Sequence, residues 1–83
     1  MLSATQQAQL EALVQSLGGD LQVEDASLDM QQTLEVVLCR DTICFRPVQI
    51  TRQDVDVTAA LDGQAEAQHA LRAHLRQALH GML

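Results

Sequence analysis

The two cysteines, Cys39 and Cys44, are the residues whose type and spacing most resemble a chemical site. Two thiols can form a redox disulfide, supply half of a metal site, or remain two separate thiols. A redox motif of the thioredoxin type has two residues between its cysteines and lies at the start of a helix. Here four residues lie between them, and the β-branched residues on both sides predict a β-hairpin. The pattern therefore favours two ordinary thiols over a redox motif.

The register of this hairpin decides whether the two sulfur atoms can meet. A turn at residues 41–42 places Cys39 directly opposite Cys44, which permits a disulfide. A turn at residues 40–41 leaves them diagonal, with Cα atoms about 7 to 8 Å apart, which is beyond disulfide reach. That second turn also sets Glu35 opposite Arg46 as an ion pair. We favour the second register and expect two free thiols, with a disulfide as the alternative.

Three histidines, His69, His74 and His80, are the remaining candidates for metal ligands. Histidines that share a zinc ion on a helix are typically four residues apart on one face. His69 and His74 are five positions apart, which separates them by about 140° around a helix axis. These histidines do not converge, so we expect no metal and no cofactor.

Composition and charge exclude several classes of function. Eleven acidic residues oppose five arginines, there is no lysine, and the net charge is −6. Such a chain repels phosphate backbones, so we expect no nucleic-acid partner. The serines and glycines form no nucleophile elbow or phosphate loop, and we expect no catalytic residues. The apolar runs are too short for a membrane span and the start lacks the pattern of a secretory signal, so we expect no membrane association and a cytoplasmic location.

Hydrophobic periodicity predicts a single domain over residues 1–83 with the element order α-β-β-β-α. A capping box and helical spacing predict a helix over residues 4–17. Three strands are predicted at residues 21–23, 33–39 and 42–50, the last interrupted at Arg46-Pro47 because proline cannot donate to a sheet. Residues 24–32 are predicted as a polar loop, residues 51–63 fit no single element, and residues 64–80 predict an amphipathic helix. The fold class is therefore α+β: a three-stranded antiparallel meander with the N- and C-terminal helices packed on one face.

The predicted core joins one face of the hairpin to apolar stripes of the two helices. Its members are Leu13, Leu17, Val36, Leu38, Ile43, Phe45, Leu71 and Leu75. The apolar stripe of the last helix continues to the chain end, where little sheet is expected to cover it. Together with the two sheet edges, this predicts a homodimer.

These observations predict a small acidic protein-binding module without catalytic activity, acting as an adaptor, an inhibitor or a chaperone-like protein. The partner is another protein, and the candidate interaction surface comprises Arg72, Arg76, Leu79, Met82 and Leu83. The alternative is a small thiol or metal protein centred on the Cys39–Cys44 hairpin.

Overall fold

The computed structural model describes the backbone of residues 2–82 and the side chains of residues 2–81. The elements are α1 (Ala4–Leu17), β1 (Leu21–Leu28), β2 (Leu34–Arg40), β3 (Ile43–Cys44), β4 (Val48–Ile50), α2 (Val57–Leu61) and α3 (Ala65–Met82). The protein is an antiparallel sheet with helices at both ends of the chain, which confirms the predicted α+β class.

Helix α1 begins and ends where its sequence predicts. The backbone N–H of Gln6 donates to the Ser3 side chain at 3.1 Å, and the Ser3 N–H donates to the Gln6 side chain at 3.0 Å. This capping box satisfies two N–H groups that have no partner within the helix. The helix ends at Leu17, directly before Gly18.

The sheet is built around β2, which pairs with β1 on one side and with β3 and β4 on the other. Strands β3 and β4 therefore act as one strand that is interrupted over residues 45–47. The predicted break at Arg46-Pro47 is confirmed, and it moves the pairing by one residue. Because of that shift, Phe45 and Val48 both pack on the helical side of the sheet, although an odd number of residues separates them.

Strand β1 is longer than predicted, because residues 24–28 continue it instead of forming a loop. The register shifts between Val23 and Asp25, which marks a β-bulge at Glu24. The bulge changes the alternation, so that Ala26 and Leu28 face the core on the same side as Val23. A strict two-residue period does not detect a strand with such a phase change.

Residues 51–63, which fit no pattern in the sequence, contain a turn and the short helix α2. The Asp56 side chain caps this helix by accepting from the Ala59 N–H at 3.2 Å. At its other end Gly63 has a φ of +100°, and the N–H groups of residues 63 and 64 donate to the carbonyls of Ala60 and Ala59. This is a Schellman motif, which requires a left-handed residue and so favours glycine. It reverses the chain and starts α3 beside α1.

One hydrophobic core joins the inner face of the sheet to all three helices. Its buried residues are Leu10, Leu13, Val14, Leu21, Leu34, Val36, Leu38, Val48, Ile50, Val55, Val57, Ala60, Leu61, Leu71, Leu75 and Leu79. Of the predicted core residues, Leu17 and Phe45 are only partly buried. The prediction for Ile43 is wrong, because its side chain is 68% exposed at the hairpin end of the sheet.

Candidate functional site

The hairpin places Cys39 directly opposite Cys44, and a disulfide joins them. The predicted register, and with it the prediction of two free thiols, is therefore wrong. The turn lies at residues 41–42, where Asp41 has a φ of +56° and Arg40 pairs with Ile43. The first turn residue of a tight hairpin commonly has positive φ, and aspartate tolerates that conformation.

The ion pair that favoured the other register is absent from the described sheet, where Glu35 pairs with Gln49. The Gln49 side chain donates to the Glu35 carboxylate at 2.9 Å. An exposed ion pair contributes only about 0 to 1 kcal/mol. It is therefore a weak guide to register.

The disulfide lies on the outer face of the sheet, away from the helices. Cys39 is only 4% exposed, yet it is not part of the core formed with the helices. Its partner Cys44 is exposed and lies on β3, an edge strand of two residues that are both exposed. The two cysteine residues therefore differ in their exposure to solvent.

A groove along α1 and α3 is a concave surface with basic side chains. Its larger cavity, about 340 Å³, lies between the two helices, and its smaller cavity, about 200 Å³, is lined by α3 alone. The two cavities share His69 and Arg72. We call it the α1–α3 groove, and its lining residues are Gln9, Ala12, Leu13, Ser16, Ala65, Gln68, His69, Arg72, Ala73 and Arg76. None of these ten residues is acidic, although the chain has eleven acidic residues.

Arg72 joins the two walls of the groove. Its Nη2 donates to the carbonyl of Ser16 at 3.2 Å, in the last turn of α1. Carbonyls in the last turn of a helix have no partner within the helix and carry the negative end of its dipole. Arg72 supplies the basic group there that α1 itself lacks. Its Nε is buried and has no hydrogen-bond partner among the described residues.

Gln68 fixes the other end of the groove. Its side-chain amide donates to the Gln9 side chain at 2.9 Å and to the Ala60 carbonyl at 3.1 Å, which connects α3 with α1 and α2. Two hydrogen bonds, from Gln68 and from Arg72, therefore hold α3 against α1 along the groove. A preformed surface of this kind loses little conformational freedom when it binds a partner.

The structure divides the predicted interaction surface into three parts. Arg72 and Arg76 lie together in the α1–α3 groove, as neighbours four residues apart on a helix. Leu79 is a core residue with 8% exposure, so its assignment to an exposed surface is wrong. The Met82 side chain and Leu83 lie outside the described residues.

Leu79 is buried because it continues the apolar stripe of α3 into the core. The stripe formed with Leu71 and Leu75 continues to Leu79, where all three are buried in the same core. Of the three histidines, only His69 lies in the groove. No cluster of three or more possible metal ligands occurs among the residues that the structure describes.

Both edges of the sheet carry features that oppose pairing with another strand. Strand β1 has a bulge at Glu24, and the opposite edge is interrupted at Pro47. Bulges, charged residues and prolines on edge strands reduce edge-to-edge association. Within the described residues, no helix has the length and apolar character needed to cross a membrane.

Comparison of the chain with models of known protein families, with curated proteins and with solved structures finds no match.

Proposed function

We propose that the protein is a small acidic protein-binding module without catalytic activity, of the adaptor, inhibitor or chaperone-like kind, which contacts its partner through the α1–α3 groove. The observation that carries this proposal is the contrast between the groove and the remaining surface. The groove presents Arg72, Arg76 and His69 and no acidic residue. The chain as a whole has a net charge of −6.

The groove suits an acidic segment of a partner protein. The guanidinium of Arg72 is already oriented by its hydrogen bond to Ser16, and Arg76 is exposed one turn further along α3. Planar guanidinium groups bind carboxylates with two parallel hydrogen bonds, and less entropy is lost when the side chain is held in place beforehand. Repulsion from the acidic body is screened beyond about 8 Å at physiological ionic strength, so the local basic charge decides the contact.

Small side chains allow a partner to approach the backbone of both helices. Ala12, Ala65 and Ala73 line the groove beside the basic residues. A standard protein interface buries about 800 Å² per partner, so the contact would extend beyond the groove along the exposed side of α3. The proposed partner is not a nucleic acid, because ten of the eleven acidic residues lie outside α3 and repel phosphate backbones.

Self-association as a homodimer and a cytoplasmic location also remain proposals. The prediction of a dimer rests on an exposed helix stripe and two open sheet edges. The structure weakens both arguments, because Leu79 is buried and both sheet edges are protected. A cytoplasmic location combined with a disulfide implies a reversible bond, because persistent disulfides are rare in that reducing compartment.

The second candidate, a small thiol protein, is favoured by the Cys39–Cys44 disulfide. A disulfide has no thiolate with which to bind a metal ion, since metal ligation by cysteine requires the deprotonated thiol. Thiol–disulfide exchange is therefore the chemistry that this hairpin supports.

A photo-crosslinking experiment tests the binding proposal. Ala73 is exposed within the groove, so a photoreactive phenylalanine analogue at this position should form adducts with a partner protein in a lysate of the source cells. Met30 is 100% exposed and does not line the groove, which makes it the matched control position. We expect discrete adducts from position 73 and none of the same mass from position 30.

Charge reversal then tests whether the basic groove is responsible. Arg76→Glu in the crosslinking protein should remove the adducts, whereas Arg52→Glu should retain them, because Arg52 is exposed and does not line the groove. Equal adducts from both crosslinker positions, or equal loss with both charge reversals, would contradict a partner site in the groove.

A further inference from the structure

The accessibility of the Cys39–Cys44 disulfide is strongly unequal at its two ends. Cys44 is exposed, whereas Cys39 is 4% exposed. The sheet order is β1-β2-β3, so Cys39 lies on the central strand and Cys44 on the edge strand. Cys39 has Gln22 of β1 as its other neighbour, while no described strand lies beyond Cys44.

This placement decides which sulfur an external thiolate reaches. Exchange requires the thiolate to approach one sulfur along the axis of the disulfide, from the side opposite the other sulfur, and its rate depends on access. Approach to the Cys44 Sγ comes from the open edge of the sheet. Approach to the Cys39 Sγ comes from the side occupied by Gln22 and β1.

We propose that the Cys44 Sγ is a site of thiol–disulfide exchange with an external thiol, and that Cys39 is the leaving and resolving thiol. This inference deepens the second candidate function and does not depend on the α1–α3 groove. An external thiolate attacks the Cys44 Sγ, a new S–S bond forms there, and the Cys39–Cys44 bond breaks. The electron pair leaves on the Cys39 sulfur, which takes up a proton.

Two outcomes are open to the resulting mixed disulfide on Cys44. Attack by the Cys39 thiolate restores the internal disulfide and releases the external thiol. Attack by a second external thiolate releases the oxidised external disulfide and leaves Cys44 as a thiol. In the second case two external thiols are oxidised by two electrons and the protein disulfide is reduced to two thiols.

The hairpin is built so that reduction has a local effect. Strand β3 has two residues, and residues 45–47 separate it from β4. Besides the disulfide, the Arg40–Ile43 pair and the bond from the Phe45 N–H to the Leu38 carbonyl, 2.8 Å long, hold this segment to β2. We expect reduction to loosen residues 41–44 while Phe45 and the core beneath β2 keep their packing.

Trapping of the wild-type protein tests the direction of attack. The oxidised protein is incubated with millimolar reduced glutathione, quenched with acid at short times, and mapped by tandem mass spectrometry. We expect the glutathione adduct on Cys44 with Cys39 as a free thiol. A predominant adduct on Cys39, or an internal disulfide that glutathione does not open, would overturn the proposal.

Single variants provide a second measurement with a matched pair. Cys39→Ala leaves the exposed thiol and Cys44→Ala leaves the buried one, and both are folded in the same reducing buffer before the reductant is removed. We expect the Cys39→Ala variant to react with oxidised glutathione at least about tenfold faster, because reaction rates follow thiol access. Equal rates, with both variants shown to be folded by circular dichroism, would also overturn the proposal. The groove crosslinking is unaffected by either result.

Discussion

Loss of the Cys39–Cys44 disulfide should destabilise the fold by an amount that its loop size determines. The two cysteines are five positions apart, so the bond closes a short loop. The loop-closure relation gives about 2 kcal/mol at 25 °C for a loop of this length. A domain of 83 residues has a total stability of roughly 4 to 12 kcal/mol, so this is a substantial fraction of it.

The double substitution Cys39→Ala and Cys44→Ala removes the disulfide, and urea denaturation under non-reducing conditions measures the loss of stability. Alanine is used because Cys39 is buried and a serine hydroxyl there would add a desolvation cost. We expect the free energy of unfolding to fall by about 2 kcal/mol and the melting temperature by roughly 10 °C.

Reduction of the wild-type protein breaks the disulfide but keeps both cysteine side chains, so it measures the effect of the bond alone. Reductant should lower the stability of the wild-type protein by nearly the same amount and leave the double variant unchanged. A loss of wild-type stability below about 0.5 kcal/mol on reduction, or an equal loss in the double variant, would contradict this prediction. In the first case the hairpin would be held by its turn and backbone pairing alone.

The remaining predictions concern the core, the helix connection and assembly. Leu79→Ala should lower the free energy of unfolding by about 2 to 4 kcal/mol because Leu79 is 8% exposed. Ile43→Ala, at a 68% exposed position, should lower it by less than about 0.5 kcal/mol. Chemical denaturation measures both values, and the opposite order would contradict the assigned core. Gly63→Ala should lower the free energy of unfolding by about 1 to 2 kcal/mol because Gly63 has a φ of +100°. Gly19→Ala should be nearly neutral because an added Cβ meets no atom within 4 Å. Equal losses of stability would contradict the Schellman motif at Gly63. Light scattering at micromolar concentration should give the mass of a dimer, and a monomer mass would remove the homodimer proposal.

Elements with a long and regular pattern could be predicted from the sequence. The capping box of Ser3 and Gln6 marks the start of helix α1, and the apolar stripe of α3 runs from Ala67 to Leu79. The interruption at Pro47 could also be predicted, because the missing N–H is a property of the residue itself. In each case the information lies within a few residues of the chain.

Features that depend on a partner elsewhere in the chain could not be predicted. The bulge at Glu24 breaks the alternation of apolar and polar residues along β1, so the sequence pattern does not show that the strand continues. The break is explained only by the pairing with β2. The hairpin register depended on choosing between two adjacent turns, and the weak Glu35–Arg46 ion pair was the wrong criterion. Asp41, which adopts a positive φ in the structure, belongs to both candidate turns, so the local sequence does not choose between them.

The α1–α3 groove also depends on contacts between residues that are far apart in the sequence. The proximity of Arg72 and Arg76 follows from their helical spacing, and the sequence identified both. Their surroundings come from α1, where Ser16 lies 56 positions from Arg72 and Gln9 lies 59 positions from Gln68. Whether an arginine is solvated or oriented at a helix end depends on these distant contacts. The local pattern alone could therefore indicate a surface but not a groove.

The two proposed sites lie on opposite sides of the sheet, and this separation has a physical consequence. The groove belongs to α1 and α3 on the inner side, whereas the disulfide lies on the outer face. Between them lies Leu38 of β2, which is 0% exposed and packs in the same core as Leu71 and Leu75. Coupling between two sites requires an element with two arrangements whose equilibrium both sites affect. Since reduction is expected to loosen only the edge of the sheet and to leave this core packed, thiol exchange at Cys44 and partner binding at Arg76 should be energetically independent.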